Sequence, residues 1–147
     1  MREPPKPAPR MRIRNLTQQT EIASCAEVAD TAASRNKGLL GRTGLPSGGG
    51  LWIVPCESVH TFFMKFPLDL VYLDRNKKVR KARGNVGPWR LSGCLSAHSI
   101  IELPAGTIEK TQTQRGDQLE FAPANIPESR TPITEGNPRA AVLNPER

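Results

Sequence analysis

VHTFFM, residues 59–64, and LDLVYL, residues 68–73, crowd β-branched and aromatic side chains into two runs separated only by Lys65, Phe66 and Pro67. Such residues suit a pleated, half-buried or fully buried surface, so the pair reads as two strands at the centre of a sheet. Outward from them, Asp74 to Lys77 is a turn into Lys78 to Ala82, whose alternation of apolar and basic residues suits a strand with one wet face. Upstream, Leu51 to Val54 (LWIV) is a short apolar run of buried-strand type, delivered by the loop Leu45 to Gly50 (LPSGGG). Met11 to Asn15 and Glu21 to Ala29 read as a hairpin around Thr17 to Thr20, and Ser99 to Leu103 and Asp117 to Phe121 close the fold as two more strands. Arg83 to Ser99, with three glycines and Pro88, reads as irregular, and Pro104 to Arg115 as a crossing. Thr31 to Leu40 is the one stretch of helix-compatible composition without proline, with Asp30 as its N-cap and Gly41 as its stop. Many short strands at close spacing with one short helix predict a mainly β domain, a small sandwich or barrel.

The ends read differently. Of the 14 prolines among 147 residues, many crowd residues 1–10 and 122–147, where aliphatic periodicity is almost absent. Neither end can bury enough apolar surface to offset ordering entropy, so both are expected to be disordered arms around a single domain at 11–121. The net charge of +7 is unevenly spread. Arg2, Lys6, Arg10, Arg12 and Arg14 face only Glu3 near the N-terminus, and Arg75, Lys77, Lys78, Arg80, Lys81, Arg83 and Arg90 face only Asp74. No segment has the length of apolar sequence that a transmembrane helix needs, and the N-terminus lacks the apolar core of a secretory signal. Three cysteines are too few and too odd in number for a secreted disulfide framework. A cytoplasmic protein with reduced thiols is expected.

Several constellations bear chemistry. Cys56 with His60, and Cys94 with His98, repeat a spacing of four and use both histidines of the chain. Two thiolates and two imidazoles form a set that tetrahedral zinc accepts if all four converge. The plainer reading is two small buried cysteines and two hydrogen-bonded or surface histidines. A thiol nucleophile at Cys56 activated by His60 is a further reading, though no oxyanion-hole signature accompanies it. Gly48-Gly49-Gly50 precedes a strand and no Lys-Ser or Lys-Thr follows, which argues for a flexible loop and not a phosphate cradle. Asp69, Glu102 and Asp117 are the acids expected inside or at the edge of the sheet; Asp69, between Leu68 and Leu70, either caps backbone donors or binds something. The basic stretch Arg75 to Arg90 with Trp89 would contact phosphates and stack a base if it bound nucleic acid, and otherwise reads as a solvated edge that discourages sheet aggregation.

The order Arg35 to Arg42 (RNKGLLGR), Gly50-Leu51-Trp52-Ile53, Phe62-Phe63-Met64-Lys65 with Pro67-Leu68-Asp69, Ile101 to Gly106 (IELPAG) and Gly116-Asp117 resembles the bacterial and archaeal family catalogued as domain of unknown function 192, also called uncharacterised protein family 0127. The resemblance implies a small β-sandwich of jelly-roll type with one short helix, and no settled activity. This chain departs from the family pattern where Phe66 alone stands between Met-Lys and Pro-Leu-Asp, a place where Asn-Thr and a further residue or two are usual. Leu40 also stands where Met is common, a swap that conserves volume. Some members of that family are exported or lipid-anchored, and the absence of a signal here argues against that for this chain.

Taken together, a small-ligand-binding or accessory role is expected, at a cleft bordered by Pro55 to His60, Lys65 and Asp69, with no catalytic residue assigned and no reaction named. Lys65 with Asp69 would orient a small polar ligand, with Cys56 and His60 beside them. The alternatives are weak nucleic-acid contact through the basic arm and Arg75 to Arg90, and a zinc or thiol enzyme built on Cys56 and His60 with or without Cys94 and His98.

Overall fold

A computed structural model describes Glu3 and residues 9–125; most of 1–10 and 122–147, where the sequence leads to disordered arms, lies outside the described residues. Nine strands and two short helices follow one another as β1 (Arg10–Asn15), β2 (Thr20–Ala29), α1 (Ala32–Lys37), β3 (Gly49–Ile53), β4 (Ser58–His60), β5 (Leu68–Leu73), β6 (Val79–Val86), β7 (Leu91–Gly93), β8 (Ser99–Pro104), α2 (Thr107–Thr111) and β9 (Leu119–Pro123). Seven strands form one sheet in the order β6-β5-β8-β3-β2-β1-β9, and β4 pairs with β7 in a second, two-stranded sheet. The mainly β expectation holds, with two short helices where one was expected.

The large sheet curls until its edges approach. Lys78 bridges Gln118, and the Val79 and Leu119 amides donate to the Asp117 and Lys77 carbonyls at 2.8 and 3.0 Å. Strand alternation then sends side chains to opposite faces. The inner face gathers Ile13, Ile22, Ala26, Val71, Leu73, Val79, Ile101 and Leu103 into one core. Leu51, Ile53, Leu68, Leu70, Tyr72 and Ile100 point the other way and are roofed by Leu39, after α1, and by Val59 of β4. Every residue of β5 is buried, Asp69 among its apolar neighbours included.

The close approach of β8 dictates the residue at Gly50, where a Cβ would stand 3.1 Å from both the Glu102 carbonyl and a Leu103 methyl carbon. Gly48 is needed for a second reason: its φ of +77 lies in the left-handed region, and a Cβ there would stand 2.5 Å from the Ser24 hydroxyl.

Helix α1 is shorter than its sequence suggests. Thr31, not Asp30, is the N-cap, in a capping box where the Thr31 hydroxyl accepts from the Ser34 amide at 3.1 Å and the Ser34 hydroxyl accepts from the Thr31 amide at 3.0 Å. Gly38, at φ 46, stops it three residues before Gly41. The run VHTFFM is not a central strand. Only Val59 and His60 pair, with β7, and the chain then turns because Phe63 adopts a left-handed φ of 66 and the Met64 amide returns to the Thr61 carbonyl at 3.1 Å. The stretch Arg83 to Ser99 is more regular than expected, since β6 runs to Val86 and β7 lies within it.

Thr61 holds this corner together. Its buried hydroxyl donates to the Gly87 carbonyl at 2.7 Å and accepts from the Arg90 amide at 2.8 Å. Thr61→Val keeps the shape and strands both backbone partners, so denaturant unfolding is expected to show a loss of about 2 kcal/mol. An unchanged midpoint would mean that the hydroxyl is dispensable.

Candidate functional site

Glu102 faces outward from β8, directly across from Leu51 on one neighbouring strand and Leu70 on the other. A carboxyl between two leucines on a buried face loses most of its hydration, and burial pushes its pKa up from 4.5 to about 7. The Arg42 guanidinium opposes that shift only in part. Both of its terminal nitrogens are committed to Glu27, one at 3.0 Å to Oε1, which holds the Glu27 carboxyl below its usual range. Glu102 is 7% exposed, and among the described residues its Oε2 has no donor. Among the described residues two other buried polar atoms have no hydrogen-bond partner, the Trp52 Nε1 donor and the Ser99 hydroxyl, and Glu102 is the ionisable one of the three. It also lines a cavity of about 300 Å³ whose walls include Arg35, Lys37, Cys56, His60 and Met64.

The expected cleft is therefore partly assembled. Pro55, Cys56, Ser58, Val59 and His60 line this cavity. Lys65 is exposed and does not line it. Asp69 sits on the opposite face of β5, 1% exposed, with Oδ1 accepting the Asn85 amide at 2.7 Å and Oδ2 the Ile108 amide at 2.8 Å. Its carboxylate caps the start of α2 and closes the Asn85 bend. Asp117 is likewise committed inside the fold, to Asn15 at 2.9 Å, Gln18 at 3.2 Å and the Gln114 amide at 2.9 Å.

The two Cys and His pairs do not form one ligand set. Among the described residues no three His, Cys, Asp or Glu side chains stand where a metal ion would need them. The Cys56 thiol donates to the Ser58 carbonyl at 3.1 Å, and burial pushes its pKa up, opposite to what a nucleophilic thiolate needs. His60 stacks on Phe62, with ring centroids 5.0 Å apart. Cys94 Sγ lies 3.3 Å from the Ser96 hydroxyl, and the His98 carbonyl accepts from the Cys56 amide at 2.8 Å.

Three basic side chains of β6 bond to the segment 91–96. Arg80 Nε donates to the Ser96 hydroxyl at 3.3 Å, Lys81 Nζ to the Gly93 carbonyl at 2.9 Å and Arg83 to the Leu91 carbonyl at 3.2 Å. The last two bonds stitch β7 onto the large sheet, and the first holds the turn after it. The Tyr72 hydroxyl adds a fourth, to Ser92 at 2.6 Å.

Glu102 was visible in the sequence as an acid inside the apolar run Ser99 to Leu103, but nothing in its neighbours announces the cavity. Arg35 and Lys37 come from α1, and their approach to β8 depends on the return of the chain through Leu39.

The family model DUF192, described as Uncharacterized ACR, matches residues 14–121. The chain belongs to this family. A UPF0127 protein of Pyrococcus furiosus is 33% identical over 113 residues, 73% of this chain and 95% of that protein. Another from Thermococcus kodakarensis is 28% identical over 124 residues, 80% of this chain and 78% of the relative. In three dimensions the DUF192 chain is similar to the crystal structure of a protein of unknown function from Novosphingobium aromaticivorans, with a TM-score of 0.66, 19% identity and coverage of 76% of this chain and 83% of that one. A Sinorhizobium meliloti crystal structure gives a TM-score of 0.68 at 21% identity, covering 82% and 98%. Those likenesses show the fold alone. DUF192 is a family of unknown function, and no reaction is assignable from it. Among the described residues no helix is long and apolar enough to cross a membrane.

Proposed function

We propose that this DUF192 chain is a small-ligand-binding protein, and that its ligand presents an amine to Glu102. The observation that carries the reading is that Glu102, a buried carboxyl whose Oε2 finds no hydrogen-bond partner among the described residues, lines a cavity. Buried carboxyl groups without donors are costly, and a bound N–H donor or ammonium removes that cost. Arg35 and Lys37 line the same cavity and match an anionic group at the other end of the molecule. A volume of about 300 Å³ limits the ligand to the size of an amino acid or a similar zwitterion. Cys56 and His60 serve as walls in this reading, Lys65 stands outside the cavity, and Asp69 is structural. Three free cysteines support a reducing, cytoplasmic setting.

A thermal-shift screen of small amines, amino acids and hydroxy acids, run above the midpoint of Glu102, tests the proposal. Amine-bearing compounds are expected to stabilise the wild type in a concentration-dependent way and to leave Glu102→Leu unmoved. A panel without any stabiliser, or one that stabilises both proteins equally, would sink the assignment.

A further inference from the structure

Two turns meet beside β4 and hold bulky apolar side chains out to solvent. Phe63 is 70% exposed, Trp89 58% and Leu91, at the start of β7, 70%. They belong to one cluster. The Phe63 and Trp89 rings meet edge to face at 4.8 Å, Phe62 stacks on Trp89 at 5.7 Å, and Leu91 pairs with His60, whose ring stacks on Phe62. Grouped exposure of this kind marks an interaction surface, whereas isolated surface leucines need no explanation.

The backbone reinforces the point. Phe63 and Trp89 both have left-handed φ values, 66 and 62, in a region that bulky L residues rarely adopt. Thr61 pins both turns: its carbonyl accepts from the Trp89 amide at 3.0 Å and its amide donates to the Arg90 carbonyl at 2.8 Å. Two strained aromatic residues, fixed by one buried threonine and pointing away from the core, are a feature that packing does not require.

Charge indicates what the cluster meets. Residues 58–68 and 83–98 contain no Asp or Glu, and they contribute Lys65, Arg83 and Arg90. Lys81 adds a fourth cation where it reaches the Gly93 carbonyl of β7. Glu57 lies at the opposite end of β4 from the aromatic turn. We infer that this patch docks the protein onto an anionic lipid surface. Phe63, Trp89 and Leu91 enter the headgroup boundary, where an indole ring is favoured, while Lys65 and Arg90 meet the lipid phosphates. A nucleic acid fits less well, because the exposed face of the patch is aliphatic at Leu91 and carries a single indole, Trp89, on which a base would stack.

Phe63, Lys65, Trp89, Arg90 and Leu91 do not line the Glu102 cavity, so the patch can be tested without reference to the proposed ligand. The probe is co-sedimentation of the full chain with phosphatidylcholine vesicles containing phosphatidylserine, against phosphatidylcholine alone, at low and high salt. The variant is the double substitution Phe63→Asn and Trp89→Asn, since asparagine tolerates a left-handed φ and the fold is preserved. The wild type is expected to sediment with the anionic vesicles, to be released by salt, and to lose about tenfold in affinity in the double variant at an undiminished melting temperature. Three results would overturn the inference: no sedimentation, equal sedimentation of the two proteins, or self-association in gel filtration that the variant abolishes while vesicles bind neither.

Discussion

Glu102→Gln is expected to make this protein more stable above neutral pH and to flatten the pH dependence of its unfolding. The folded carboxyl has its pKa raised to about 7, against an ordinary 4.5. A raised acid pKa means that the folded state holds the proton more tightly than the unfolded chain does. Its favourable contribution is therefore fully present below about 4.5, declines as pH rises between the two values, and is gone above about 7. The span corresponds to roughly 3 kcal/mol, at about 1.4 kcal/mol for each pH unit. Gln cannot ionise, so urea titrations at several pH values should show the variant parallel to the wild type in acid and ahead of it by an amount of that order in mild alkali. A wild type with no decline between those two values would show that the carboxyl is ordinarily solvated.

Asp69→Ala has the opposite sign and works at any pH where the carboxylate is ionised. Removing the side chain strips the acceptor from two amides, Asn85 and Ile108, in a corner where Asp69 itself is buried. Hydrogen bonds to a charged group are worth about 1.5–3 kcal/mol each, so the expected loss is on the order of 4 kcal/mol. Asp69→Asn should be nearly as damaging, because it turns one acceptor into a donor facing an N–H. Equilibrium unfolding decides between this role and ligand binding, since a residue kept for a ligand would cost little stability when replaced.

These two acids show what local sequence can and cannot convey. Asp69 stood out as an acid in an apolar strand, yet the donor that explains it, Ile108, is 39 residues away. The same distance hid α2: its five residues carry no side-chain cap of their own, and Asp69 supplies the acceptor. LDLVYL was legible because a strand buried on both faces is made mainly of apolar and aromatic side chains, and five of these six fit that pattern. VHTFFM has equal β character and failed as a central strand, since Thr61 bonds across to Gly87 and Arg90 and Phe63 takes a left-handed φ. Propensity describes how a side chain fits a sheet, not whether tertiary contacts place it there. The repeated Cys and His spacing carries no shared geometry for a related reason. Four residues of extended or turning chain set no common direction, so Cys56 and His60 share a cavity wall while Cys94 faces Ser96. Half of the cleft was legible, Pro55 to His60, because it follows a buried strand. Glu102, Arg35 and Lys37 complete it from two other parts of the chain.

The carboxyl-carbon chemical shift of Glu102, followed through pH by NMR, addresses the account most directly. With the free protein the shift should titrate with a midpoint of about 7, and an amine that stabilises the wild type should move that midpoint downward as its ammonium pairs with the carboxylate. A midpoint in the ordinary carboxylate range, or one that no amine displaces, would contradict it.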